Sequence, residues 1–275
     1  MKTIIETITP ALAKAFLEKN TANRNLREGF VSYLANEMLT GRWKLTNQGI
    51  AFFTDGTLAD GQHRLHAVIQ SGVSIEMQVT RGLDKDAMSA IDVGAKRSIA
   101  DFLHLHHGVK DAVAVTAASR KILSIFFSFQ NYTVPASVVK MVVDYYHADI
   151  AAALVAVRGF KPANQSWLIA VLAIARHRNK STMDAFLENL STGENLKVGD
   201  PAHTLREWLV SGSVHHEGSY ARARIEAALN ICHHQVAGTA YRMPKSGTQG
   251  FNYFIPQEKK LIESIRPEIA HILKR

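Results

Sequence analysis

Residues 58–72 read "LADGQHRLHAVIQSG", and the reading of this stretch decides the fold. Leu65, Val68 and Ile69 recur at i, i+3 and i+4, which sets one face of a helix over about 62–71 into a core. Gly72 closes that helix. Just upstream, "IAFF" (50–53), the turn "TDGT" and "LA" (58–59) spell a β-hairpin, because Asp-Gly between apolar runs is the strongest short hairpin signal. Asp60 to Arg64 therefore stand where a strand hands over to a helix N-terminus. The first backbone N–H groups there lack an intrahelical partner, and the helix dipole is positive. Gly61 lets a ligand approach the backbone closely, with Gln62 beside it. Arg64 offers a planar fork suited to phosphate. His63 can donate to an oxyanion or move a proton, and Asp60 can accept a hydrogen bond or hold a hydrated Mg²⁺. Together they form a candidate phosphate pocket. The same residues also fit a purely structural corner, with Asp60 capping the helix and Arg64 pairing to it four residues on.

Working outward, "TIIETI" (3–8) reads as a strand, and Thr9 caps a helix with Pro10 at its first position. Asn25 and Glu28 have the spacing of a capping box, opening a helix through about Thr40 that Gly41 ends. After the motif, "VSIEMQVT" (73–80) alternates as a half-buried strand should. "DKDAMSAI" predicts a short helix, and "DVGAKRS" (92–98) a basic turn. Ser98 and Asp101 then cap a helix. Beyond residue 99 the strand signals fade, and helices are predicted over roughly 99–107, 109–129, 135–147, 149–158, 164–177, 181–190, 201–211 and 219–236. "GTAYRMPKSGTQGFNYFIP" (238–257 in outline) reads as an irregular arm. The expected fold class is α+β: a small mixed-sheet domain over 1–98, followed by an all-helical domain over 99–275.

The turn at 92–98 is a second constellation. Asp92, Gly94, Lys96 and Arg97 surround a helix start, and such a turn with two cations suits phosphate or a DNA backbone. Asn23 and Arg24 form a third, weaker element, and Gln48 next to Asn47 is placed to read a base or ribose. Arg222 and Arg224 near a helix start are consistent with a DNA-facing edge. Of the histidine clusters "HLHH" (104–107), His215–His216 and His233–His234, His104 with His107 satisfies the i, i+3 spacing of helical ligands, but nothing resembles a spaced zinc motif and adjacent histidines point apart. The pairs Phe126–Phe127 and Tyr145–Tyr146 read as core.

Composition fits an ordinary globular chain, with 47% hydrophobic and 20% charged residues over 275. No apolar run reaches the ~20 residues needed to span a bilayer, and the N-terminus does not read as a signal peptide. One cysteine, Cys232, excludes an internal disulfide framework and suits a reducing cytoplasm. A net charge of +8 favours polyanionic partners, nucleic acid first.

"DGQHRLHA" after a hairpin strand resembles the core motif of the ParB/sulfiredoxin superfamily, and the pentapeptide is the one that names its DGQHR-domain branch. The resemblance covers about residues 1–98, including Asn23–Arg24 upstream. It implies a ParB/sulfiredoxin-like fold for that domain and nucleoside triphosphate binding, ATP with Mg²⁺ foremost, at Gly61–Arg64. Arg64 and Lys96 would hold phosphates, His63 would stabilise developing charge, and Asp60, with Asp92 as the other carboxylate, would place the metal. It also implies a setting of DNA modification or phage and plasmid DNA processing, with DNA and a DNA-modifying protein as partners, and is compatible with a homodimer. Hydrolysis or phosphate transfer is the reaction expected. The alternatives are a non-catalytic DNA-binding regulator or assembly factor, and a DNA nickase. Sulfiredoxins carry a catalytic cysteine just after the motif glycine; Gln62 stands there, which argues against sulfinic-acid reduction. Partition-type ParB proteins carry a downstream helix-turn-helix, for which "TVPASVVKMVVDYYHADI" (133–150) is the nearest candidate. For a nuclease, Glu76 and Asp84 are acidic companions by proximity only.

Overall fold

The computed structural model describes residues 1–21, 23, 25–86, 98–128, 134–194, 196–211 and 220–270. The chain is mixed α and β, and divides into two compact units, one formed mainly by Met1–Lys96 and the other by Arg97–Leu273.

In the first unit the order is β1 (Lys2–Ile8), α1 (Pro10–Leu17), α2 (Glu28–Leu39), β2 (Ile50–Phe53), β3 (Leu58–Asp60), α3 (Gln62–Ser71) and β4 (Ile75–Leu83). The four strands form one sheet in the order β1-β4-β2-β3. β1 runs antiparallel to β4, β2 parallel to β4, and β3 antiparallel to β2. Ile8, Phe16, Val31, Met38, Ile50, Phe52, Leu65, Val68, Met77 and Val79 fill a core shared by the sheet and the helices. Local chemistry explains several boundaries. The Thr9 side chain accepts from Leu12 N at 3.1 Å and Pro10 opens α1. The hairpin turn is fixed by Asp55, whose carboxylate accepts from Thr57 N at 2.9 Å and Thr57 Oγ1 at 2.6 Å and pairs with Lys85 at 2.6 Å. The Lys85 ammonium holds that carboxyl well below the usual range.

One boundary departs from expectation. The Asn25–Glu28 capping box does not form: α2 starts after Arg27, which leaves Asn25 two residues short of the cap and exposed. The strand expected at 73–80 is displaced to Ile75–Leu83, because its register follows β1 out to the Lys2↔Arg81 pair. Of the short helix expected in "DKDAMSAI", residues 87–91 lie outside the described residues, as do 92–97 of the basic turn.

The second unit contains α4 (Ile99–His107), α5 (Ala112–Phe127), α6 (Ala136–Gly159), α7 (Ser166–Arg178), α8 (Lys180–Thr192), α9 (Pro201–Val210), α10 (Tyr220–Val236), α11 (Gln249–Phe254) and α12 (Lys259–Ile265), with single 3₁₀ turns between and after them. Among its described residues there is no strand. Ser98 and Asp101 make the expected capping box on α4. α7 is the central helix, buried on every side from Trp167 to Arg176. The helices expected at 135–147 and 149–158 are one continuous helix, α6, so "TVPASVVKMVVDYYHADI" holds no turn from Ala136 on and is not a helix-turn-helix. Asp149 survives inside that helix because its carboxylate is taken by α7: Arg176 Nη1 donates to Oδ1 at 2.6 Å, and His177 Nδ1 meets Oδ2 at 2.8 Å. The arm expected over 238–257 is irregular only to Thr248, and then forms α11 and a 3₁₀ turn. No described helix is long and apolar enough to cross a membrane.

Candidate functional site

The motif sits at the junction of β3 and α3. Gly61 is the N-cap residue, at φ +108°, and brings no side chain to cap the helix. A Cβ there would be strained and would lie 3.1 Å from both Cα and Cγ1 of Ile50. Gly49 is equally constrained, since a Cβ on it would fall 1.9 Å from the Gln78 carbonyl oxygen. The start of α3 therefore lies directly on the start of β2, and β2 directly on β4.

Arg64 reaches across this junction. Its Nη1 donates to the Gly49 carbonyl at 2.9 Å and to Asp60 Oδ2 at 3.4 Å, and its Nη2 donates to Gln48 Oε1 at 3.2 Å. The Arg64–Asp60 ion pair expected from the four-residue spacing is thus present, whereas Asp60 does not cap the helix. The Asp60 side chain is 39% exposed and that of Arg64 18%, so both border solvent. Gln62 and His63 are buried instead. Asn20 Nδ2 donates to Gln62 Oε1 at 3.2 Å. Asn23 Nδ2 donates to Asn20 Oδ1 at 2.7 Å and to the Leu58 carbonyl at 3.0 Å. His63 Nε2 accepts from the Arg27 backbone N–H at 3.0 Å, which leaves the ring proton on Nδ1, and the Phe30 ring meets it edge-on at 5.6 Å.

Asn23, Gln48, Asp60, Gly61, Gln62, His63 and Arg64 are therefore brought together in one unit. Arg24, Asp92, Gly94, Lys96 and Arg97 lie outside the described residues. Arg222 and Arg224 belong to the other unit: Arg222 Nε donates to Glu226 Oε1 at 2.8 Å, and the Arg224 guanidinium stands 5.6 Å from the Trp167 ring. Sequence reasoning missed Asn20, Arg27 and Gly49. Only Gly49 carried a signal, as a glycine opening a strand marks close backbone approach.

Among the described residues no group of three His, Cys, Asp or Glu could hold a metal ion. Mg²⁺ usually keeps several waters and takes one or two carboxylates plus substrate phosphates. Asp60 is a partly exposed carboxylate of the kind such an ion takes, and Asp92 lies outside the described residues.

The helical unit holds the second polar concentration. Besides Asp149, Arg176 engages Asp184 of α8, with Nε donating to Oδ1 at 2.6 Å, so one guanidinium ties α6, α7 and α8 together. Tyr146 is fully buried, while Tyr145 is partly exposed, its ring 4.5 Å from that of His177. Burial, and then the neighbouring Glu258 carboxylate, push the Tyr146 phenol above its ordinary range. In comparisons with protein-family models, curated proteins and solved structures, nothing matches this chain.

Proposed function

We propose that the first unit is a ParB/sulfiredoxin-like domain that binds the phosphates of a nucleoside triphosphate at the start of α3, in a protein that works on DNA. The observation that supports this reading is the meeting of three things at one solvent border: a helix starting on a glycine without a side chain, the Arg64 fork, and the Gln48 and Asp60 side chains. A phosphate arriving there would meet the positive end of α3 and would compete for Arg64 with Gln48 and with Asp60, whose contact is the longest of the three. Mg²⁺ bound to the nucleotide would neutralise phosphate charge next to Asp60. Turnover, as hydrolysis or phosphate transfer, would rest on positioning and charge stabilisation. His63 would act by fixing the Arg27 backbone and so the lead into α2.

A second reading has its own support. Arg64 is already bonded to the Gly49 carbonyl, Gln48 and Asp60, as a structural corner requires. In that case the protein is a non-catalytic DNA-binding regulator. Affinity for ATP with Mg²⁺ and melting temperature, measured on the same Arg64→Ala sample, separate the two. A charged phosphate contact is typically worth ~1.5–3 kcal/mol, so nucleotide affinity should fall at least tenfold. Gln48→Ala, which leaves the Gly49 contact intact, should change affinity with little change in melting. Unchanged affinity in a folded Arg64→Ala protein rejects the nucleotide site and leaves the regulator.

A further inference from the structure

The segment between α10 and α11 is held rigidly at its base and exposed at its tip. α10 ends with Gly238 N donating to the Gln235 carbonyl at 3.2 Å and Thr239 N to the His234 carbonyl at 3.0 Å, a Schellman stop. The Tyr241 ring stacks on His234 at 4.2 Å, and Tyr241 N donates to the Gly199 carbonyl at 2.8 Å. The Thr204 hydroxyl donates to the Tyr241 carbonyl. Farther on, the buried Asn230 side chain closes the segment from inside, donating to the Lys245 carbonyl at 3.0 Å and accepting from Gly250 N at 2.7 Å.

Between these anchors stand Arg242, Met243, Pro244 and Lys245. Arg242 and Lys245 are exposed, and neither side chain makes an ion pair among the described residues. Met243 is 66% exposed. The Arg242 side chain lies over Gly199, where a Cβ would be 3.5 Å from its Nε. That contact joins the tip to the turn before α9, in which Lys197 is exposed and Val198 is 75% exposed. The nearby Asp200 carboxylate is engaged by the Lys197 backbone N–H at 2.7 Å and does not pair with the ammonium. Three cations without ion pairs among the described residues thus stand on the same two neighbouring turns as two exposed apolar side chains, Met243 and Val198.

We infer that this tip docks on duplex DNA, with Arg242, Lys245 and Lys197 on phosphates and the exposed Met243 set as a wedge in the minor groove. Met is among the side chains that enter base steps there, and flanking cations on phosphates are what position such a wedge. Charge complementarity selects the partner: residues 97–275 hold 21 Lys and Arg against 14 Asp and Glu. A membrane surface is a poorer match, because interfacial binding needs a whole apolar helix face. The inference rests on the DNA part of the proposed function and not on the nucleotide site.

The test is anisotropy of a short fluorescent duplex with the full-length protein over a salt series. Arg242→Gln with Lys245→Gln should reduce the slope of log affinity against log salt by roughly 0.9 for each lost phosphate contact. Lys197→Gln, on the neighbouring turn, should remove one further contact. Met243→Ala should weaken binding with the salt slope unchanged, most on duplexes with a flexible TA step. Melting temperature should not move, since these side chains are exposed and make no ion pair. If the wild-type protein does not bind duplex, the DNA reading and the tip fall together. If it binds but the double variant keeps the wild-type slope, the tip alone falls. Equal affinity for vesicles rich in anionic lipid overturns the choice of partner, and unchanged binding by Met243→Ala overturns the wedge.

Discussion

The two units divide charge and chemistry very unevenly. Residues 1–96 carry 11 Lys and Arg against 10 Asp and Glu, so nearly all of the +8 surplus belongs to residues 97–275. Eleven of the 13 histidines are there too. The near-neutral unit holds the motif, and its polar groups are engaged locally: Arg64 with Gly49, Gln48 and Asp60, and His63 with Arg27. In the helical unit the opposite holds at the 241–245 tip, where Arg242 and Lys245 are exposed and make no ion pair among the described residues. A motif rich in functional residue types is therefore a different thing from a surface that can reach a partner. Long-range attraction follows net charge, while recognition at a helix start depends on which local contacts a ligand can displace.

The largest expected effect tests how far the helical unit depends on its buried ions. Asp149→Ala removes the carboxylate that Arg176 and His177 share; breaking a buried pair costs about 3–5 kcal/mol when a charge is left uncompensated, and because Asp184 still faces the guanidinium the loss should fall at the lower end of that range. Hydrogen exchange should show lost protection centred on α6, α7 and α8. A loss below about 1 kcal/mol, the range of exposed pairs, would mean the network is no tie at all.

Next comes the motif unit. Gly61→Ala combines a strained positive φ with crowding against Ile50, and should cost roughly 1–3 kcal/mol in denaturant unfolding. Leu65, at the same helix start but facing the core, calibrates it: Leu65→Ala should cost about 2–5 kcal/mol by cavity formation. A neutral Gly61→Ala would show that α3 can slide off β2, and would weaken the description of the junction as a fixed corner.

These residues also mark what the sequence could reveal. Thr9–Pro10, Ser98–Asp101, the Asp-Gly hairpin and the apolar stripe of α3 were legible because each signal lies within a few residues of its effect. The continuity of α6 was not, because Asp149 finds Arg176 and His177 on another helix. The start of α2 was misplaced for a similar reason: the Arg27 N–H meets His63, far along the chain. Glycine and proline in the 238–257 arm hid α11, whose first turn is held by Asn230. At the candidate site Asp60 and Arg64 were read as a pair, but Gly49 and Gln48 as partners of Arg64 depend on strand register, which no local pattern carries.

The smallest effect at neutral pH concerns Cys232. Complete burial pushes its thiol up to about 12. Because the folded value lies above the unfolded one, the stabilising contribution is complete below the ordinary thiol range and is lost as pH rises through it toward the folded value. Alkylation at neutral pH should therefore report opening of the helical unit, and label the native protein only as fast as it opens. Rapid labelling of native protein would contradict this.

β1 sits at one edge of its sheet and pairs with β4 alone, from Lys2↔Arg81 to Ile8↔Ile75. During synthesis it cannot find that partner until α1, α2, the hairpin and α3 have all been made. At roughly 5–20 residues per second the delay is several seconds or more. Through that interval Ile4, Ile5 and Ile8 form an unpaired strand that could join another nascent chain. Lys2 and Glu6 put charges into the strand, and in parallel in-register pairing with a copy each would face its own like charge, which disfavours that stack. Glu6 later pairs with Arg81, so the residue that guards the waiting strand also locks its register once β4 arrives.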